Sequence, residues 1–326
     1  MFDYTKDLSF LCCPCPDHGK LKESSEGSIV CETCGVIFPV VNERPILFDE
    51  GRSIFSATQV ASFGDQGQFA EGSGWRYRLR KLFPAAVSRD YSVSMIEKHK
   101  LLLPEAAAVL VIGCGVTGAQ YRELFPGARL FLTDVSLKGD AHLACDGESL
   151  PFPDESLDCI LIDQVLEHAL NPLAVVDELY RCLKFGGIVY SGVPFHTPVH
   201  SFPFDFQRYT PLGHRLLFRR FQEVDFRITQ GPVSALSLTL IGFLASIWNN
   251  LWWRRLSSVL VRVFVGSMRW LDRRDPSNDL TIPASSAFLG RKNAEVARPI
   301  NIISSWPLRA NDPRSAVGAI ARASVS

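Results

Sequence analysis

The 326-residue sequence lacks an excess of either charge, with 34 Lys and Arg against 34 Asp and Glu, so no global field draws it to nucleic acid or membrane. It has no internal repeat. Its N-terminus, "MFDYTKDLSFLCCPCPDHGK", lacks a basic segment followed by an apolar run, so no secretory signal is expected and the cytoplasm is the expected compartment. The nine cysteines lack the even spread of a disulfide framework. Five crowd the first 34 residues, and Cys114, Cys145, Cys159 and Cys182 are scattered through apolar segments, which suits a reducing compartment with a local metal site. A hydrophobic content of 47% supplies core for one large domain and a small one. Charge is uneven along the chain. Residues 1–50 hold four basic and nine acidic side chains, whereas residues 208–274 hold eleven arginines and three acids.

Residues 1–50 read as one small unit of cysteine pairs and short strands, and the Gly-, Ser- and Gln-rich residues 51–74 as a linker or lid. Residues 75–293 carry the main domain. Apolar runs at Ala107–Ile112, Arg129–Thr133, Leu157–Ile162 and Gly187–Val193 alternate with helical stretches at Gly118–Leu124 and Pro172–Cys182. Such alternation specifies an α/β fold with a parallel sheet covered on both faces and a ligand crevice at the strand carboxyl ends. Two further strands, Arg219–Arg227 and Ile282–Gly290, are separated by a hydrophobic helical insertion at 233–275. Residues 294–326 lack periodicity and are expected to form a poorly ordered tail.

Cys12, Cys15, Cys31 and Cys34 form C-x2-C-x15-C-x2-C. That spacing lets two thiolates from each of two tight turns complete a closed tetrahedron, the pattern of structural rather than catalytic zinc. Gly35 supplies the left-handed residue a knuckle needs, and a unit this small needs a staple to fold. Cys13 could replace Cys12, and His18 is a further substitute. The segment Phe10–Phe48, with "CETCGVIFPVVNERPILF", resembles the Trm112-like zinc-ribbon family. The resemblance implies an accessory module that supports or docks a methyltransferase.

The stretch "VLVIGCGVTGAQ" places Gly113, Gly115 and Gly118 as G-x-G-x-x-G, a turn that serves a dinucleotide or S-adenosylmethionine equally. Asp134, ending the second strand, would bind ribose hydroxyls of either. The decision comes from "LACDGESLPFPDESLDCILIDQVLEHALNP", which has no counterpart in a dinucleotide fold. On these motifs, residues from about Val109 to Phe195 resemble the class I S-adenosylmethionine-dependent methyltransferases of the type 11 group. The resemblance implies a Rossmann-like methyltransferase sheet with an antiparallel last strand. It assigns Gly113, Cys114 and Gly115 to the methionine side of the cofactor, Asp134 to ribose, Asp146 and Gly147 to adenine, and Gln164 to the neighbourhood of the sulfonium. Two positions depart from the family: Val111 stands where relatives have an acid, and Gly118 falls one residue late.

Methyl transfer is an in-line displacement that rests on alignment, with a base needed only where the acceptor loses a proton. In "PFHTPVHSFPFDFQRYT", His196 and His200 are candidates for the base, and Arg208, oriented by Asp205, for binding an anionic group. The competing reading is an Asp205–Arg208 pair that only fixes the loop. No charge occurs from Val233 to Trp253, and 21 residues at about 1.5 Å each could span a bilayer core of roughly 30 Å. A single span would strand the last strand on the far side, so the insertion either returns through Leu256–Leu271 or never crosses; an interfacial helix is expected, and the competing reading is a helical cap or dimer surface buried by protein. Trp248, Trp252, Trp253 and Trp270 suit the headgroup level, and Arg254, Arg255, Arg262, Arg269, Arg273 and Arg274 suit anionic lipid. The expected partners are a small or lipid-linked (glycan-linked included) acceptor and a membrane surface on its cytoplasmic side. Nucleic acid is not expected, because no basic surface interleaved with aromatics is present. RNA methylation with the ribbon as a docking module, and a non-catalytic cofactor-binding scaffold, are the alternatives. The sequence does not fix an oligomeric state.

Overall fold

The computed structural model describes residues 7–63, 90–100, 103–137, 139–247, 250–272 and 282–305. Seven strands build the main domain's sheet: β6 (Ala108–Ile112), β7 (Arg129–Asp134), β8 (Leu143–Cys145), β9 (Leu157–Asp163), β10 (Leu183–Pro194), β11 (Phe221–Gln230) and β12 (Ser285–Lys292). Their order is β11-β12-β10-β9-β6-β7-β8. The pairs from β10 to β8 are parallel, and β12 runs antiparallel to both β10 and β11, as a Rossmann-like methyltransferase sheet with an antiparallel last strand requires. All five residues of β6, "AVLVI", are buried, because a parallel strand has apolar cover on both faces. Leu110 and Ile112 point into one core cluster, while Val109 and Val111 point into the other, the two-residue alternation of a strand.

The helix Gly118–Leu124 follows β6, and Pro172–Cys182 follows β9. The second starts where Asn171 accepts a bond from the Ala174 N–H with Pro172 in the first turn, two features that terminate and pre-set a helix N-terminus. It buries Val175, Val176, Leu179 and Cys182 against the sheet.

The N-terminal unit holds a three-stranded antiparallel sheet, β1 (Leu21–Glu23), β2 (Ile29–Cys31) and β3 (Ile37–Phe38), and a hairpin of β4 (Val40–Val41) and β5 (Arg44–Leu47). Asn42 and Glu43 both have positive φ, 50° and 61°, the conformation a two-residue hairpin turn demands. The unit is not a separate appendage. β5 adds in parallel to β8, with Ile46 opposite Ala144 and Leu47 opposite Cys145, so the sheet continues to nine strands ending β8-β5-β4. An uncovered β8 would leave a fully buried, apolar strand as an open edge.

The first part of the expected linker is also docked. Phe55 packs between Phe48 and Phe204, with ring centroids 6.2 and 5.7 Å away, and the helix Ala57–Phe63 lies by β5. The remainder of that linker, 64–74, and the helical stretch up to residue 89 lie outside the described residues.

The insertion is a hairpin of two helices, Pro232–Ile247 and Leu251–Phe264, and a 3-10 turn at Gly266–Leu271. The 21-residue uncharged run does not form one rod, because Asn250 caps the second helix by accepting the Trp252 N–H; Asn competes for backbone bonds and favours helix starts over interiors. Among the described residues no helix is long and apolar enough to cross a membrane. Asp272, buried beneath the hairpin, accepts the Val233 N–H at 2.9 Å, the Ser234 N–H at 3.0 Å and the Ser234 hydroxyl at 2.7 Å, which satisfies the first turn of the first helix. Phe243, Ile247, Trp252, Trp253, Leu260 and Phe264 face outward. Trp248, Arg273 and Arg274, and the side chains of Arg254, Arg269 and Trp270, lie outside the described residues.

The expected tail begins with structure. Pro299–Ser304 is helical, and Arg215, on the helix Pro211–Leu217, donates to the Ile302 carbonyl and the Ser305 hydroxyl. Residues 306–326 lie outside the described residues.

Candidate functional site

The carboxyl ends of β6 to β10 open onto one edge of the sheet, where each loop brings a predicted site residue. After β6, Gly113 and Gly115 take φ of +72° and +51°. A Cβ on Gly113 would stand 2.3 Å from Val165 Cγ2, so only glycine lets this turn pass beneath the loop after β9. The Gly113 and Cys114 N–H groups both donate to the Thr133 carbonyl. The Cys114 thiol is buried and pushed well above its ordinary value by that burial, as for a small core residue. Gly118 differs from the two earlier glycines. Its N–H donates to Asp140 Oδ2 at 2.9 Å, and a Cβ there would meet Asp140 Cβ at 2.4 Å; it is a packed first-turn helix residue.

Asp134, ending β7, accepts the Gly115 N–H and the Ser136 N–H, each at 3.1 Å. Burial raises its pKa to about 6 against these bonds. Asp146, directly after β8, accepts the Glu148 N–H at 3.0 Å and the Ser53 hydroxyl at 2.5 Å. Ser53 was not legible as a site residue, since nothing in a Ser-rich linker marks one serine. Gly147 lies against Val175. Gln164 is exposed at φ +57°, with its N–H held by the Gly192 carbonyl. A groove of about 930 Å³ lies at the opposite edge of the sheet, lined among others by Arg122, Arg129, Asp158 and Lys184. The glycine turn and the strand-end acids are absent from that lining, and ligands of parallel sheets bind at the carboxyl ends.

Beyond β10 the expected acceptor residues separate. His196 is exposed, its ring 4.5 Å from that of Phe195. His200 instead sits with Glu167 and His168. Its Nε2 lies 3.7 Å from Glu167 Oε1, as does His168 Nε2, and the two imidazoles meet edge to face at 5.0 Å. Glu167 is 0% exposed, neither carboxylate oxygen has a hydrogen-bond partner, and burial raises its pKa to about 8. Asp205 and Arg208 form a bidentate pair, Nη1 to Oδ1 and Nη2 to Oδ2 at 2.6 Å. Burial would raise Asp205, but the bonds from Arg208 and from the His200 N–H hold it below the ordinary carboxylate value. The arrangement favours the loop-fixing reading of this pair: the guanidinium already holds a carboxylate and the Gln207 carbonyl.

The cysteines gather differently from their spacing. Cys13 Sγ lies 3.6 Å from Cys34 Sγ, which lies 3.8 Å from Cys15 Sγ, and one sulfur from each of Cys13, Cys31 and Cys34 falls within 4.8 Å of the others. Cys12 stands outside this group. Its backbone N–H bonds the Pro151 carbonyl, its sulfur faces His18 Nδ1 at 3.9 Å, and burial pushes its thiol up to about 12. Adjacent residues of an extended chain point to opposite faces, so only one of Cys12 and Cys13 can join. His18 stays out of the group as well, with Nδ1 3.2 Å from the Cys13 carbonyl. Gly35 has φ +73° and donates to the Cys31 carbonyl, the turn expected of a knuckle.

Residues 110–191 match the methyltransferase domain family, and residues 8–43 match the Trm112p-like protein family. The ubiquinone/menaquinone biosynthesis C-methyltransferase UbiE of Xanthomonas oryzae is 39% identical over 51 residues, 16% of this chain and 20% of that protein. The malonyl-[acyl-carrier protein] O-methyltransferase of a Marinomonas species is 30% identical over 118 residues, 31% of this chain and 43% of the other. The chain thus spans less than half the length of the curated relatives it matches. Among solved structures, a complex between the Haloferax volcanii Trm112 methyltransferase activator and a methyltransferase aligns with 19% identity and a TM-score of 0.39. It covers 63% of this chain and 94% of that one.

The sulfur geometry gives a direct outcome. Cys13→Ser should lose bound zinc from the purified protein, and Cys12→Ser should retain it, as read by metal content per chain. Zinc loss confined to Cys12→Ser would reverse the ligand assignment.

Proposed function

We propose that this chain, which carries a methyltransferase domain joined to an N-terminal Trm112p-like domain, transfers a methyl group from S-adenosylmethionine to a small or lipid-linked acceptor. The observation that carries the reading is the convergence at one sheet edge of the Gly113–Gly115 turn, Asp134 and the Asp146–Gly147 loop. These residues fit the cofactor. The glycine turn allows close backbone approach, Asp134 has spare acceptor capacity for ribose hydroxyls, and Asp146 can exchange the Ser53 hydroxyl for an adenine amino group. S-adenosylmethionine supplies an activated methyl on a sulfonium; the protein's part is to hold the donor, align the acceptor and exclude water.

On this reading Gln164 borders the sulfonium, and His200 is better placed than His196 to act on the acceptor. Four thiolates from Cys13, Cys15, Cys31 and Cys34 would bind zinc with a closed sphere, a structural role. The names of the two curated relatives place their methyl transfer on small-molecule or carrier-bound acceptors, which supports the same class here.

The insertion supports an apolar acceptor presented at a membrane face. Its first helix passes close to the loop after β10: a Cβ at Gly242 would stand 3.1 Å from Pro198 Cγ. The outward residues Trp252, Trp253 and Phe264 are 62%, 45% and 80% exposed, and Arg255 is exposed beside them. Exposed aromatic and basic side chains on such a hairpin suit the headgroup level.

Four outcomes follow. Asp134→Asn should weaken S-adenosylmethionine binding by about 10- to 100-fold in calorimetry, the worth of a charge-assisted hydrogen bond. Because the folded pKa of Asp134 is raised to about 6, its carboxylate is lost as pH falls through 6. Wild-type affinity should decline over that window, while the fold itself gains from neutralising a carboxylate that burial disfavours. When the purified protein is added to an extract lacking it, tritium from labelled cofactor should enter the lipid or small-molecule fraction; label confined to RNA or protein, or none at all, would overturn the acceptor class. Trp252→Ser with Phe264→Ser should reduce co-flotation with anionic vesicles several-fold, and equal flotation of variant and wild type would remove the membrane reading.

A further inference from the structure

We infer that Glu167, His168 and His200 form a second metal site, for a divalent first-row cation, at the acceptor side of the crevice. The inference rests on the methyl-transfer reading for its purpose but not for its geometry. One donor atom from each residue falls within 4.8 Å of the other two, and both imidazole Nε2 atoms stand 3.7 Å from the same carboxylate oxygen, Glu167 Oε1. Ligands bound at about 2.1 Å sit roughly 3.0–3.5 Å apart around a shared ion, so the two carboxylate–imidazole distances need shifts of a few tenths of an ångström, and the separation between the imidazole donors, within 4.8 Å, closes by a turn of the exposed His200 ring.

Two features aim these atoms. The far nitrogen of each ring faces oxygen acceptors. His168 Nδ1 bonds the Phe204 carbonyl, and His200 Nδ1 lies nearest to Asp205 Oδ2, at 3.3 Å, with the Pro198 carbonyl and the Arg208 guanidinium each 3.4 Å away. A proton held at Nδ1 leaves the Nε2 lone pair toward the cluster, the outer-shell arrangement that orients metal-bound histidines. Asp205 is fixed in turn by Arg208. The second feature is Glu167 itself: its side chain is fully buried and both its oxygens lack a hydrogen-bond partner. A buried carboxyl without hydrogen bonds is costly, and three lone-pair donors turned toward one another call for a positive charge between them.

Two imidazoles and one carboxylate suit Mn²⁺, Fe²⁺, Co²⁺ or Zn²⁺ and leave coordination positions for the acceptor. The acceptor class that uses such a site carries a hydroxyl or enol oxygen, whose pKa the cation lowers. In the transfer, the acceptor O–H gives its proton to water and the oxygen lone pair forms the bond to the methyl carbon. The carbon–sulfur bond breaks with its electrons returning to sulfur, converting the sulfonium to a neutral thioether.

Mn²⁺ is the probe, because the thiolate cluster selects softer ions. Full-length protein with its zinc in place is titrated with Mn²⁺ and followed by the electron paramagnetic resonance of free Mn²⁺; binding of S-adenosylhomocysteine is measured separately by calorimetry. One Mn²⁺ should bind per chain, with affinity reduced at least tenfold in Glu167→Gln and in His200→Gln. His200 lies at the surface, so its variant keeps the test open should Glu167→Gln fail to fold. Wild-type binding no tighter than that of His200→Gln would overturn the metal site. Retained Mn²⁺ binding with no affinity for S-adenosylhomocysteine would instead overturn the methyl-transfer reading and leave the site standing.

Discussion

The parallel pairing of β5 with β8 is the contact on which the rest of the molecule depends. Only two residue pairs define it, Ile46 with Ala144 and Leu47 with Cys145, yet it closes an edge, buries Ile46, Leu47 and Phe48 almost completely, and makes the N-terminal unit part of the sheet. Each such side chain contributes about 1.5–3 kcal/mol on removal from water. The pairing also sets geometry. Once Leu47 lies beside Cys145, the chain leaving β5 passes Asp146, where Ser53 bonds the carboxylate. Arg44, starting β5, donates to the Leu137 and Ala141 carbonyls, fastening the loop that follows Asp134. Asp146 and the loop after Asp134 are therefore held from the N-terminal side as well as from their own strands.

Three acids around the crevice show how burial is offset. Asp134 accepts a backbone N–H at each oxygen, which offsets part of the burial that raises its pKa, and Asp146 accepts one together with the Ser53 hydroxyl. Asp205 is supported by a guanidinium and falls below its ordinary pKa. Glu167 makes no hydrogen bond to a neighbouring residue through either oxygen, and burial outweighs the favourable influence of its own backbone and of Arg208, so its pKa rises. The difference lies in the surroundings, since all four carboxyls, Glu167 included, follow or adjoin carboxyl ends of parallel strands. The same logic explains Asp272, whose carboxylate spends its lone pairs on the first turn of the hairpin and leaves none for a ligand.

Local pattern was sufficient for much of this. The helices Gly118–Leu124 and Pro172–Cys182 begin and end where periodicity and the Asn-Pro start place them, and the apolar runs of the parallel strands fall within a residue or a few of their bounds, because burial on both faces leaves few polar positions to blur them. What depended on direction or distance was not legible. C-x2-C spacing counts positions along the chain but not the face each side chain takes, so it could not choose Cys13 over Cys12. Two-residue pairing between Leu47 and Cys145, nearly a hundred positions apart, leaves no periodic trace. The uncharged run from Val233 read as one length of apolar helix, although Asn250 within it supplies a helix start. Arg208 read equally as an anion binder or a loop tie, and only the position of Asp205 separates the two.

Chain order divides the site's tasks. On the proposed methyl-transfer reading, everything that would hold the donor lies before β10: the glycine turn, Asp134, Asp146 and Gln164. What would face the acceptor lies after it, in the loop bearing His200 and Asp205 and in the hairpin between β11 and β12. Those two strands are joined to each other through β12's antiparallel register, so a long excursion between them changes neither the parallel strands nor the cofactor edge. Acceptor choice can then vary by altering the hairpin and the loop it leans on, while Glu167 and His168, carried on the turn after β9, connect the two regions. Their contact with His200 is the point where the donor half and the acceptor half of the crevice meet.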